Sequence, residues 1–135
     1  MTNILFLCVA NSARSQMAEG LARVYFGERA SIQSAGSLPT TVNPLAIAAL
    51  DERGIDISAQ ESTRVDLVDP SSVDVVVTLC ADEVCPAFLG AARRLHWPLP
   101  DPAASTGSAA EELGHFRAVR DEIEKHLPQL DAFIV

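Results

Sequence analysis

The sequence is short of basic side chains and of long apolar runs, and each shortage excludes a class of partner. Ten lysines and arginines stand against 18 aspartates and glutamates, so the formal net charge is −8. Nucleic-acid binding without sequence preference depends on basic side chains that neutralise phosphates, and we therefore expect no nucleic-acid partner. No apolar run approaches the roughly 20 residues that a membrane-spanning helix needs, and we expect no membrane partner.

The sequence also has only three cysteines, and its N-terminus lacks the basic start and small-residue cleavage site of a signal peptide. We therefore expect a cytoplasmic protein whose cysteines serve a metal site, catalysis or packing rather than a disulfide framework. The 135 residues contain no internal repeat and no linker. We expect such a chain to form a single domain over residues 1–135 and to be a monomer.

Apolar segments alternate with helical patterns along the chain, which predicts an α/β fold with a four-stranded parallel sheet flanked by helices. The predicted strands cover about residues 3–8, 31–34, 73–79 and 94–97. The predicted helices begin near Arg14, at the cap Asn43 and at the cap Ser108. Ligands of such sheets bind beyond the carboxyl ends of the strands, where Cys8 and Cys80 both stand.

A loop with a thiol at one end and a guanidinium at the other joins the first predicted strand to the first helix. Cys8 ends the strand and Arg14 opens the helix, and both a helix N-terminus and a nearby cation favour the thiolate form of a cysteine. The guanidinium can grip two oxygens, the loop N–H groups can surround an anion, and Ser15 can donate to the thiolate. This pattern predicts a site that binds a tetrahedral oxyanion and attacks it with Cys8. Its substrate-binding residues are Val9, Ala10, Asn11, Ser12, Ala13 and Arg14.

The loop and the residues after it resemble the signature of the low-molecular-weight protein tyrosine phosphatase family. The similar segment is Cys8-Val9-Ala10-Asn11-Ser12-Ala13-Arg14-Ser15-Gln16-Met17-Ala18-Glu19-Gly20, and its second half is similar to the arsenate reductase branch. Further similar segments follow in order, namely Ser34-Ala35-Gly36, Gly54-Ile55-Asp56-Ile57-Ser58, Val76-Val77-Thr78-Leu79-Cys80, His96-Trp97, Asp101-Pro102 and Arg120-Asp121-Glu122-Ile123. The resemblance implies the fold of that family, with the oxyanion loop after the first strand.

The family loop usually has glycine where Ala10 stands and often cysteine where Ala13 stands. Ala10 restricts the loop if a left-handed backbone is needed at that position.

The resemblance to thioredoxin-coupled arsenate reductases implies a relay of three thiols, which fall here to Cys8, Cys80 and Cys85. In that relay Cys8 attacks arsenate, Cys80 attacks Cys8 and releases arsenite, and Cys85 attacks Cys80. Thioredoxin, the external reductant, then reduces the Cys80–Cys85 disulfide, so no bound cofactor is expected. In a continuous helix, residues 80 and 85 would be about 7.5 Å apart along the axis, beyond the reach of a disulfide. We therefore expect this segment to be irregular or to change conformation during turnover.

The resemblance also implies a general acid and, in some family members, a potassium ion. Asp101, in the pair Asp101-Pro102, matches the acid that protonates the departing oxygen, because hydroxide is a poor leaving group. The potassium ligands of those members match Asn11, Glu19 and Ser34, but the fourth, an aspartate, is replaced here by Thr63. We assign no metal ligands to the chain.

Other functions remain open at this point. Hydrolysis of phosphotyrosine or aryl phosphates would use Cys8, Arg14 and Asp101 but has no need of Cys80 and Cys85. Asp101-Pro102 is followed by Ala103-Ala104, with no aromatic residue nearby to hold a tyrosine ring. A carrier that accepts a phosphoryl group on Cys8 would not need the acid. Packing of the second and third cysteines is a further alternative, and zinc is a weaker one because two cysteines make a poor tetrahedral set.

Overall fold

A computed structural model of the chain describes residues 1–81, 88, 90–104 and 107–134. A four-stranded parallel sheet in the order β2-β1-β3-β4 forms its centre. The strands are β1 (Thr2–Leu7), β2 (Ala30–Ala35), β3 (Val75–Thr78) and β4 (Arg93–His96), and the helices are α1 (Arg14–Phe26), α2 (Pro44–Asp51) and α3 (Ala109–His126). Short 3-10 helices cover Gly27–Arg29, Val65–Leu67, Pro70–Ser72, Pro102–Ala104 and Leu127–Phe133. The predicted α/β fold is confirmed.

The predicted caps begin the second and third helices. The Asn43 side chain accepts a hydrogen bond from the Leu45 N–H at 2.8 Å, with proline at the first helical position. The Ser108 hydroxyl accepts from the Glu111 N–H at 3.2 Å and donates to its carboxylate at 3.1 Å. Each cap satisfies an N–H that the first helical turn leaves without a backbone partner.

The third strand is shorter than predicted, because its first residues belong to a turn. The Val73 N–H donates to the Pro70 carbonyl at 3.4 Å, so pairing with β1 begins only at Val75. Beyond the end of β3, the Leu79 N–H still donates to the Leu7 carbonyl at 2.9 Å. Cys8 and Cys80 therefore follow the ends of two strands, as predicted, and the structure shows that these strands are neighbours.

The core surrounds β1, whose residues from position 4 to position 7 have no exposed surface. Ile4 and Phe6 face the cluster to which α1, α2 and α3 all contribute, while Leu5 and Leu7 face a smaller cluster around Phe88. Burial on both faces explains the unbroken apolar run that predicted this strand. Within the described residues, none of the helices is long and apolar enough to cross a bilayer.

Candidate active site

The carbonyl groups of the loop between β1 and α1 all point away from its centre. From residue 9 to residue 13, each one accepts a hydrogen bond from a group outside the loop or in α1. The acceptor and donor pairs are Val9 with Leu38 N–H (3.0 Å), Ala10 with Thr40 N–H (3.1 Å) and the Ser62 hydroxyl (3.1 Å), Asn11 with the Gln16 amide (3.0 Å), Ser12 with Asn43 N–H (2.9 Å), and Ala13 with Met17 N–H (2.9 Å). This outward bonding fixes the loop from behind and directs the opposite side of each peptide unit inward.

The N–H groups of residues 9–13 donate to no hydrogen bond within the described part of the chain. Ala13, the residue before α1, makes no side-chain cap, and the first turn carries no acidic residue. A ring of N–H groups at the start of a 13-residue helix provides donors and a favourable dipole for an anion. The loop is therefore built to bind an oxyanion.

Gly36, directly after β2, allows the loop to lie against the end of that strand. A Cβ atom at this position would be 2.4 Å from the Val9 carbonyl oxygen and 2.7 Å from that of Cys8. Both neighbours are backbone atoms that cannot rotate away. Only glycine fits here, a requirement that the sequence does not indicate by itself.

The left-handed backbone of the loop falls on Asn11, with φ of 47°, and not on Ala10. Asparagine tolerates this conformation better than most residues, so the alanine that replaces the family's glycine introduces no strain. The expected restriction at Ala10 therefore has no effect on this loop.

A chain of buried hydrogen bonds leads from the thiol to the back of the loop. The Cys8 sulfur lies 2.8 Å from the Ser15 oxygen, to which the Asn11 amide donates at 2.7 Å. Because the Ser15 oxygen already accepts from Asn11, its own proton is available to Cys8. The same amide donates to Ser34 at 2.9 Å, and Ser34 donates to the Glu19 carboxylate at 2.7 Å.

The residues that match the potassium ligands are brought together, but each of them already has hydrogen-bond or ion-pair partners in the protein. The Asn11 amide oxygen accepts from the Thr63 N–H at 2.7 Å. Glu19 accepts from Ser34 with one oxygen and pairs with the Arg23 guanidinium through the other, at 3.0 Å. Burial raises the pKa of Glu19, while the Ser34 hydrogen bond and the Arg23 charge act against that rise. The donor set does not fit a potassium ion, and we derive no step through one.

Arg14 and Asp101 line one small cavity with the thiol. The cavity has a volume of about 100 Å³. Its described lining consists of Cys8, Ala10, Ser12, Ala13, Arg14, Thr40, Asp101 and Ala103, none of which is aromatic. The Arg14 side chain is 4 % exposed and donates to the Leu99 carbonyl at 3.0 Å and, more weakly, to that of Leu79 at 3.4 Å. The structure thus brings together the predicted nucleophile, oxyanion ligand and general acid.

Asp101 sits at the mouth of this cavity and starts a 3-10 helix. Its carboxylate accepts a hydrogen bond from the Ala103 N–H at 3.0 Å, which orients the side chain. The residue is exposed, so its carboxyl group is in contact with solvent.

The two later cysteines differ in what the structure describes. Cys80 is 1 % exposed and is disulfide-bonded, whereas Cys8 is a free, buried thiol. Cys85 and its predicted role lie outside the described residues. Within the described ranges, no group of three or more histidine, cysteine and acidic side chains comes together as a metal site.

Sequence reasoning missed the second layer of contacts behind the loop. The Gln16 amide donates to the carbonyls of Asn11 and Glu61 at 3.0 and 2.9 Å, and it is itself held by Gln60. These bonds mostly involve backbone groups, which carry no residue-type signal. The only indication in the sequence was the resemblance of the segment that contains Gln16.

Comparison with known proteins identifies the family. A model of low molecular weight phosphotyrosine protein phosphatases matches residues 3–134. The arsenate reductase of Halalkalibacterium halodurans is 47% identical over 126 residues, covering 92% of this chain and 91% of its own. That of Bacillus subtilis is 44% identical over 128 residues, covering 93% and 92%. A solved arsenate reductase in a phosphate-binding state has a TM-score of 0.85 at 34% identity, with full coverage of both chains.

The chain belongs to the low molecular weight phosphotyrosine protein phosphatase family. The predicted resemblance to its arsenate reductase branch is confirmed by the bacterial relatives and by the structural similarity.

Proposed function

We propose that this protein reduces arsenate to arsenite with the thiols of Cys8, Cys80 and Cys85, and that thioredoxin restores the thiols. The observation that carries the proposal is the position of Cys8 and Cys80 after neighbouring strand ends, aligned by the bond from Leu79 to Leu7. A phosphatase has no use for a second thiol at this place. The bacterial relatives that cover nine-tenths of the chain are arsenate reductases, which supports the same choice.

The first step is attack of the Cys8 thiolate on the arsenic atom of arsenate. The loop N–H groups and Arg14 hold the oxygens, and the Ser15 hydroxyl stabilises the thiolate before attack. A sulfur–arsenic bond forms, an arsenic–oxygen bond breaks, and Asp101 gives its proton to the departing oxygen so that water leaves.

The second step transfers two electrons to arsenic. Cys80, as thiolate, attacks the Cys8 sulfur, and the electron pair of the sulfur–arsenic bond stays on arsenic, which leaves as arsenite. Two thiols are oxidised to a disulfide while arsenic(V) becomes arsenic(III). Cys85 then attacks Cys80 and frees Cys8. In the structure Cys8 is free and Cys80 is disulfide-bonded, and the last exchange would leave the two residues in these same states.

The proposed reaction places the protein in the cytoplasm, because thioredoxin keeps thiols reduced there. Thioredoxin is the reductant that the resemblance to thioredoxin-coupled enzymes implies.

The proposal is tested by arsenate-dependent oxidation of NADPH in the presence of thioredoxin and thioredoxin reductase. The wild-type protein should turn over many times, and Cys8→Ser should be inactive because no adduct forms. Cys80→Ser should release no arsenite. Cys85→Ser should release one equivalent and then stop with a Cys8–Cys80 disulfide that peptide mapping detects.

Different failures of this assay point to different errors. A wild-type protein that shows no arsenate turnover with thioredoxin, glutaredoxin or a low-molecular-weight thiol would overturn the proposal. Hydrolysis of p-nitrophenyl phosphate in such a protein would favour the phosphatase alternative. Multiple turnovers of Cys85→Ser with thioredoxin would show that Cys85 is not the terminal thiol.

A further inference from the structure

The back of the oxyanion loop carries a buried acidic side chain that the proposed reaction does not use. The Glu19 side chain is 8 % exposed and is connected to the Cys8 sulfur by four consecutive hydrogen bonds, through Ser34, Asn11 and Ser15. A carboxylate near a thiolate and a bound oxyanion disfavours both by repulsion. A working site therefore needs this charge to be compensated.

The surroundings of Glu19 add more negative charge. It lines a cleft of about 600 Å³ on the side of the loop away from the thiol, together with Asp56 and Glu61. The one cationic side chain in the described lining is Arg23. Without that residue the cleft would hold three carboxylates and no compensating charge.

Arg23 is held in place by two contacts. Its guanidinium lies 3.0 Å from the second oxygen of Glu19 and donates to the Ile32 carbonyl at 3.3 Å. Ile32 lies in β2, two residues before Ser34, so Arg23 connects α1 to the strand that carries the hydrogen-bond chain. The guanidinium therefore places a positive charge directly against the carboxyl group of Glu19.

We propose that Arg23 is a positioning residue that neutralises Glu19 behind the oxyanion loop, and so keeps Cys8 reactive without a potassium ion. It supplies as a side chain the positive charge that some family members take from the ion. The inference rests on the proposed function only in that Cys8 is the nucleophile, and it does not depend on which oxyanion is attacked.

A helical ion pair of this spacing has a simpler explanation, since residues four apart on an exposed helix surface often pair for a small gain in stability. That explanation predicts a slightly lower melting temperature on loss of Arg23 and no change at the thiol. The charge-compensation proposal predicts a change at the thiol, and the two are therefore separable.

The test follows the pH dependence of Cys8 alkylation by iodoacetamide in the reduced full-length protein, with the Cys8 peptide quantified by mass spectrometry. Arg23→Gln should move the pH midpoint of alkylation upward by about half a unit or more, because a like charge disfavours the thiolate. Arg23→Lys keeps the charge and should stay close to the wild-type midpoint. The double variant Glu19→Gln/Arg23→Gln removes both charges and should return to it.

Arg29→Gln is the matched control. Arg29 is exposed, lies shortly after the same helix, and donates to the carbonyls of Phe26 and Tyr25. The Arg29→Gln substitution removes the same charge from the same end of the protein. The pH midpoint of Cys8 alkylation in this variant should remain at the wild-type value.

A second measurement needs no variant. Exchange of sodium chloride for potassium chloride at constant ionic strength should leave the wild-type midpoint unchanged. A potassium response of the wild type, an unchanged midpoint in Arg23→Gln, or an equal shift in Arg29→Gln would each overturn the proposal. Because no arsenate is added, failure here is distinct from failure of the proposed reduction.

Discussion

Asp101 has the same local structure as a second aspartate, Asp69, which has no part in the proposed reaction. Asp69 and Asp101 each precede a proline, each start a 3-10 helix, and each accept a hydrogen bond from the N–H two residues on, at 3.0 Å. Only Asp101 lines the cavity with Cys8. A comparison of the two aspartates can therefore distinguish the effect of helix capping from the effect of acid catalysis.

Asp101→Asn should lower arsenate turnover by about 100-fold or more, because an amide cannot protonate the departing oxygen. Asp69→Asn should leave turnover unchanged. Both substitutions keep a side-chain acceptor for the cap, so urea unfolding should show similar, small losses of stability. Equal turnover of Asp101→Asn and the wild type would exclude Asp101 as the acid.

At the scale of elements, the contact between the end of β2 and the loop depends on the absence of one side chain. Gly36→Ala places a Cβ atom against the Val9 and Cys8 carbonyls, so the loop must shift. We expect at least about tenfold slower turnover and a loss of about 1–3 kcal/mol in the free energy of unfolding, as for other overpacked sites.

Gly114→Ala is the control for this substitution. Gly114 lies inside α3, and in the described part of the chain a Cβ atom there has no neighbour within 4 Å outside the backbone of its own helix. Alanine should therefore stabilise the helix by up to about 1 kcal/mol and leave turnover unchanged. Wild-type activity in Gly36→Ala would show that the loop does not need this close approach.

The ion pairs between the end of α2 and α3 predict that the stability of the protein depends on pH in the acid range. Glu52, at the end of α2, pairs with Arg117 at 2.6 Å and with the nearly buried Arg120 at 2.7 Å. These hydrogen bonds, that of Arg117 first, lower the pKa of Glu52 from 4.5 to about 2. A depressed pKa in the folded state means that the stabilisation is complete above pH 4.5 and is lost as the pH falls toward 2.

Glu52→Gln should therefore unfold at lower urea concentration than the wild type at neutral pH, and the gap should narrow between pH 4.5 and 2. Glu122→Gln is the comparison, because the Glu122 carboxylate makes an exposed pair with Lys125, at 3.1 Å. Its loss should change stability little at any pH. A constant gap between Glu52→Gln and the wild type across this range would contradict the assignment.

At the scale of the whole molecule, the sequence predicted the parts that local chemistry determines. The run at residues 4–7 indicated a strand buried on both faces, and Asn43 and Ser108 indicated helix starts, because each depends on its own neighbours. The order of the strands placed the two thiols at one edge of the sheet.

The remaining features depend on contacts between distant segments, mostly through backbone atoms. The Thr63 N–H fixes the Asn11 amide from 52 residues away, and any residue except proline could supply that group. The Leu99 carbonyl that receives Arg14 is equally independent of residue type. The pairing of Glu19 with Arg23 has a helical spacing that is visible in the sequence. Its connection to the oxyanion loop depends on Ser34, which only the fold brings next to Glu19.

A pocket made of amide N–H groups and one guanidinium recognises only the charge and tetrahedral shape of its guest. Phosphate has both, so it should occupy the same place as arsenate and leave unchanged, because thiols do not reduce it. Under the proposed function, selection then occurs after binding, at electron transfer, and not at entry. The ratio of arsenate to phosphate concentration, rather than affinity alone, would determine what fraction of the protein has arsenate bound and reduces it.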